Sequence, residues 1–349
     1  MMGWRGVVEE YRDLLPVEGA REVVTLLEGN TPLIPSRRRG LYLKYEGANP
    51  TGSFKDRGMA LAMTMALSRG ARAVVCASTG NTSASAAAYA ARAGLGCLVI
   101  VPAGQVAAGK LAQARAYGAQ VLESEGGFDD AQALVRELAA REPRLELVNS
   151  LNPYRTPGQM TAAFEICDVL GRAPDLVILP VGNAANIVAY WRGFVRYSQH
   201  RRITTLPRMI GVQARGAAPL VLGRPVRPET AATAIRIGRP VNADKALAAV
   251  RESGGAVIAV EEWEIEEAAR QLAREGVFAE PASAASVAGY TRLLEAGYVR
   301  AKDLVVCVLT GNGLKDPDYA IRYGSEVRAF DGGPEALLAE VRGWLDGSV

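Results

Sequence analysis

The sequence predicts an α/β protein of two domains, each an open, mostly parallel sheet with helices on both faces. Three observations lead there. Short β-branched runs alternate with longer alanine-rich stretches, as strands beneath crossover helices do. Gly-Ala pairs at 70–71, 118–119 and 255–256 fall where helices should end and turn back into strands. With 349 residues the chain exceeds the usual domain of roughly 100 to 200 residues.

Strands are expected at 73–77, 97–101, 120–123, 145–148, 176–179, 209–213, 256–260 and 304–309, mostly short apolar runs bounded by turn formers or charges. Helices are expected between them at 82–93, 107–117, 129–141, 158–170, 186–197, 244–252, 264–275 and 281–296, with one more at 334–345. Residues 216–240 are proline-rich and poor in strand signal, and read as a long structured loop. The larger domain is assigned to 1–48 and 150–330, the smaller to 49–149, and a C-terminal helix to 331–349.

Composition narrows the function. The net charge is only +3, and the tight basic groups, Arg37 to Arg39 and His200 to Arg202, are short, so no stripe for nucleic acid is expected. No run approaches the roughly 18 apolar residues of a membrane span. Cys76, Cys97, Cys167 and Cys307 stand singly in apolar runs, without disulfide or zinc spacing, which fits a reducing, cytoplasmic setting and no metal. A single histidine, His200, lies in a polar segment, so acid and base work should fall to other groups.

The segment Asn49-Pro50-Thr51-Gly52-Ser53-Phe54-Lys55-Asp56-Arg57-Gly58 carries the sharpest signal. Lysines number six against thirty-four arginines, so Lys55 is an unusual choice for a casual surface charge. An amine among Gly, Ser and Asn can form a Schiff base with an aldehyde cofactor, and unlike arginine it loses its proton readily when desolvated. That points to pyridoxal 5'-phosphate.

In open α/β sheets, ligands gather beyond the carboxyl ends of the strands. Six of nine asparagines, Asn81, Asn149, Asn152, Asn183, Asn186 and Asn312, follow predicted strands directly. The turn Ser78-Thr79-Gly80-Asn81-Thr82 opens an alanine-rich helix, where hydroxyls and free N–H groups suit an anion or simply cap the helix. Gly182-Asn183-Ala184-Ala185-Asn186 opens another, with residues small enough for the backbone to wrap a phosphate.

Together, PTGSFKDRG, STGNTSAS, the GNAAN loop and LTGNGLKD, in that order after LEGNTPL at 27–33, resemble the pyridoxal-phosphate enzymes of the tryptophan-synthase β fold group, and within it the threonine synthases. The resemblance implies that Lys55 is the Schiff-base lysine, that Asn81 faces the pyridine hydroxyl, and that Gly182, Asn183, Ala184, Ala185 and Asn186 hold the cofactor phosphate. Thr310 falls where the family meets the pyridine nitrogen; a neutral hydroxyl there suits elimination and replacement chemistry.

It further implies a lyase acting on O-phospho-L-homoserine as a homodimer, with Ser78, Thr79, Gly80 and Thr82 at the substrate carboxylate. Arg155, with Asn149 and Ser150, is the expected phosphate pocket, since a guanidinium makes paired, charge-assisted bonds to phosphate. Lys110 is a second candidate. Asn312 stands where the family often carries histidine. A serine/threonine dehydratase on the same scaffold, or a non-catalytic cofactor- or amino-acid-binding protein, are the alternatives.

Overall fold

The computed structural model describes residues 3–103 and 108–346. Its strands are β1 (Leu33–Pro35), β2 (Leu41–Tyr45), β3 (Ala73–Ala77), β4 (Gly96–Pro102), β5 (Gln120–Ser124), β6 (Leu145–Leu147), β7 (Leu176–Pro180), β8 (Arg208–Ala214), β9 (Ala256–Val260) and β10 (Val305–Leu309). The helices are α1 (Val7–Glu10), α2 (Lys55–Ser68), α3 (Asn81–Ala93), α4 (Ala108–Ala116), α5 (Phe128–Arg141), α6 (Arg155–Leu170), α7 (Ala185–Gln199), α8 (Pro219–Leu222), α9 (Ala243–Glu252), α10 (Glu262–Arg274), α11 (Pro281–Glu295), α12 (Pro317–Tyr323) and α13 (Pro334–Asp346).

A six-stranded sheet runs β1-β2-β10-β7-β8-β9, parallel except where β1 pairs antiparallel with β2. A four-stranded sheet runs β5-β4-β3-β6 and is wholly parallel. Alternation along each strand decides what it buries. On β7, Val177 and Leu179 pack into the core that contains α6 and α7, while Leu176 and Ile178 face the core beneath α10 and α11. In the smaller sheet Val74 and Cys76 turn toward the core shared with α2 and α3, and Val75 and Ala77 toward α5.

The eight expected strands are present, within two residues at either end, and the nine expected helices within three; residue 107 lies outside the described residues. Six elements go beyond that reading. α1, β1, β2, α8 and α12 were not expected, and neither was α2, which begins at Lys55 itself. Residues 216–240 contain only one α turn, α8, and short 3-10 turns.

α2 and α6 cross at glycines. A Cβ on Gly58 would stand 2.6 Å from the carbonyl oxygen of Arg155, and one on Gly158 would stand 2.3 Å from that of Arg57. No larger residue fits without moving backbone, so this contact fixes Lys55 relative to Arg155. Arg57 fastens the same junction: its Nε is 2.6 Å from Glu46 and its Nη1 2.6 Å from Glu165, while the Lys44 amine lies 2.7 Å from Glu165. All four are buried, and a guanidinium in a fork of carboxylates repays much of its desolvation.

Candidate active site

Lys55 is the first residue of α2, and the turn before it is held on several sides. Gly52 takes the left-handed conformation (φ 83°), which its lack of a Cβ permits. Asp56 accepts from the Thr51 N–H at 2.7 Å and the Thr51 hydroxyl at 2.5 Å. Phe54 N–H donates to the Thr310 carbonyl at 3.0 Å and Asn312 N–H to the Gly52 carbonyl at 2.9 Å, stitching the turn to the end of β10. The half-buried Lys55 amine is brought down to about 7, by desolvation first and the positive field of Arg155 second, with Glu280 opposing both.

Across from the turn, one carboxylate gathers the residues expected at the ring. Glu280, buried just before α11, accepts from Asn81 Nδ2 at 3.0 Å and from the Thr310 hydroxyl at 3.1 Å. Ser283 Oγ lies 3.1 Å from the same hydroxyl and accepts from Gly311 N–H at 3.0 Å. Burial raises the Glu280 carboxyl, against hydrogen bonds from Asn81 and Thr310 and the charges of Lys315 and Lys55. Sequence reasoning missed Glu280. The one available hint was an acidic residue directly before a proline that opens a helix.

The 182–186 loop opens α7, with Ala184 in the left-handed region at φ 65°. The N–H groups of Gly182, Asn183 and Ala184 meet no acceptor among the described residues, and both polar atoms of the buried Asn186 amide are unpartnered. Asn183 accepts from Val241 N–H at 2.7 Å and donates to Ser150 Oγ at 3.4 Å, so Ser150 adjoins this loop. Ser78, Thr79, Gly80 and Thr82 form the part-exposed turn into α3, where Ser78 Oγ accepts from Gly80 N–H at 3.3 Å.

Asn149 sits differently from its neighbours. Its amide accepts from Ala77 N–H at 2.9 Å and donates to the Ala77 carbonyl at 3.0 Å, so it fixes the strand end that carries the Ser78 turn. Arg155 is buried at the start of α6 with one acceptor for Nη1, the Val148 carbonyl at 2.7 Å, and an unpartnered Nε. Among the described residues no carboxylate pairs with it, and desolvation lowers its guanidinium to about 10. Lys110 belongs to α4, but its side chain lies outside the described residues. Asn312 turns away to a structural task, donating to the Tyr45 hydroxyl at 2.9 Å and accepting from Leu314 N–H at 2.9 Å.

These features fit pyridoxal phosphate. Free N–H groups at a helix start and an unpartnered amide suit its phosphate, a lysine near neutrality suits its aldehyde, and Asn81 and Thr310, the residues expected at its ring, are brought together on Glu280. Among the described residues no cluster could hold a metal, and no helix is long and apolar enough to cross a membrane.

Comparison with known proteins agrees. The pyridoxal-phosphate-dependent enzyme family matches residues 24–311. The chain is 55% identical over 346 residues to the threonine synthase of Mycobacterium tuberculosis (strain ATCC 25618 / H37Rv), covering 97% of this chain and 96% of that one. It is 59% identical over 337 residues to the threonine synthase of Synechocystis sp. (strain ATCC 27184 / PCC 6803 / Kazusa), covering 93% and 87%. Among solved structures, the processed form of threonine deaminase isoform 2 from Solanum lycopersicum superposes with a TM-score of 0.72, covering 91% of this chain and 94% of that one; at 22% identity it shows the shared fold alone. The chain belongs to the pyridoxal-phosphate-dependent enzymes of that fold group, and within them to the threonine synthase family.

Proposed function

We propose that the chain is a lyase that converts O-phospho-L-homoserine and water to L-threonine and phosphate, by γ-elimination followed by β-addition of water. One observation carries the substrate: Arg155, a buried guanidinium with no carboxylate partner among the described residues, stands close enough to Lys55 to depress its amine. A buried cation left unpaired is costly, and a phosphate dianion is the partner that would repay it. A dehydratase acting on serine or threonine has no anion to offer there.

Bound pyridoxal phosphate supplies an electron sink for charge developing beside the substrate nitrogen. The chain's residues do the rest. Gly182 to Asn186 hold the cofactor phosphate, and Thr310 meets the ring nitrogen with a hydroxyl steadied by Glu280 and Ser283. The Ser78 to Thr82 turn takes the substrate carboxylate, while Arg155, with Ser150, takes the phosphate. Asn149 positions that turn through Ala77. Lys55, once its amine is free, removes the proton from Cα and then one from Cβ as phosphate leaves Cγ; Cγ gains a proton, water adds at Cβ and gives up its own proton, and Cα is reprotonated to leave L-threonine. An amine near 7 can accept and return protons at neutral pH, which an ordinary lysine at 10.5 does poorly. The working protein is read as a cytoplasmic homodimer without nucleic-acid partners, on the family resemblance, the modest net charge and the four free thiols.

The test is stoichiometry. Given O-phospho-L-homoserine, the holoenzyme should release phosphate and threonine in equal amounts, with oxo acid formed from L-threonine or L-serine only slowly. Faster deamination of threonine than turnover of the phosphoester would overturn the reading.

A further inference from the structure

A second lysine reaches the Lys55 turn from the far side of the site. Lys315 lies in the 3-10 turn Gly313–Lys315 that follows β10. Its amine donates to Gln113 Oε1 at 2.5 Å, and Gln113 Nε2 donates onward to the Thr51 carbonyl at 3.3 Å. Gln113 is on α4, the helix between strands of the smaller sheet, whereas Lys315 follows a strand of the larger one. The lysine stem also lies along Gly52: a Cβ there would meet Lys315 Cε at 3.1 Å.

We propose that Lys315 is a positioning residue for Lys55, acting through Gln113. Thr51 is gripped at its N–H and hydroxyl by Asp56 and at its carbonyl by Gln113, so the left-handed turn at Gly52 is clamped on both sides just ahead of the lysine. Asp56 belongs to the same helix as Lys55 and moves with it. Gln113 does not, and among the described residues only Lys315 anchors Gln113 to the larger sheet. Burial weakens the hold of the Lys315 amine on its proton, while Asp56 and Glu280 favour the charged, donating form. The link therefore ties the loop after β10, the helix after β4 and the turn before α2 into one unit.

Loss of this link should misplace the proton-carrying amine without removing any substrate contact. Lys315→Met keeps the stem and deletes the donor, Lys315→Arg keeps a donor, and Gln113→Leu breaks the same link from the other end. In the holoenzyme, Lys315→Met should lower kcat for O-phospho-L-homoserine about tenfold with KM changed less than about twofold, the signature of lost transition-state placement. Lys315→Arg should recover most of that loss. The kinetic arm rests on the proposed function; a second readout does not. In cofactor-free protein, hydrogen exchange at the amides of residues 51–54 should speed up severalfold in Lys315→Met and in Gln113→Leu, no further in the double variant, and stay unchanged in β7. If Lys315→Met does not fold, Gln113→Leu alone decides. Unchanged exchange at 51–54, or equal activity of Lys315→Met and Lys315→Arg, overturns the proposal.

Discussion

Arg57 and Arg155 lie against each other's helices where Gly58 meets Gly158, both buried, and they are opposite cases of how a protein keeps a charge out of water. Arg57 is saturated: Glu46 and Glu165 take its fork, and the hydroxyls of Thr31 and Thr161 lie within 3.2 Å. These carboxylates hold its proton well above the ordinary range despite burial. Arg155 has one backbone carbonyl, an idle Nε and a guanidinium lowered to about 10. A charge with its partners built in is structural. Under the proposed function, a charge without them awaits a partner that comes and goes, and its field meanwhile adds to desolvation in holding down the neighbouring Lys55 amine.

The contrast breaks most visibly in stability. Arg57→Met should strand Glu46 and Glu165 without their fork and cost about 3–5 kcal/mol, whereas Arg155→Met should cost under about 1 kcal/mol or stabilise the fold. Urea unfolding of the two variants, read as midpoint shifts at constant slope, checks this; equal losses would erase the distinction.

A smaller effect sharpens it. In cofactor-free protein, a reagent selective for neutral amines should modify Lys55 with a midpoint near pH 7, and Arg155→Met should move that midpoint upward by removing a positive neighbour. The sign for stability follows: the unfolded chain, at an ordinary 10.5, binds the Lys55 proton that the folded chain has released between about 7 and 10.5. This group therefore opposes folding fully below 7 and progressively less as pH rises through that window. A midpoint that stays put in the variant would mean that Arg155 is already neutralised.

Most of the fold was legible because buried parallel strands and the helices between them leave period and punctuation in the sequence. α2 was not. Its residues from Asp56 to Ala66 are buried on every side, so it lacks the amphipathic stripe that marks a surface helix, and the glycines before it read as loop. β2 places a fully buried lysine, Lys44, in a strand whose compensating charge, Glu165, lies 121 residues away. The site shows the same limit. Residue type and position after strands single out the lysine, the asparagines and the 182–186 loop as candidates. What each polar group is spent on was not: Asn149 goes to Ala77, Asn312 to Tyr45, and Glu280 takes partners 199 and 30 residues distant. Pairings of that range are set by tertiary structure, not by local pattern.

Arg155 as the receptor of the substrate phosphate is the centre of this account, and one variant measured on two substrates tests it. Each charge-assisted bond lost in Arg155→Ala is worth about 1.5–3 kcal/mol, so kcat/KM for O-phospho-L-homoserine should fall by roughly tenfold to several hundredfold. The slow deamination of L-threonine, which presents no phosphate, should change much less. Equal losses on both substrates would contradict the assignment and return Arg155 to the structural class of Arg57.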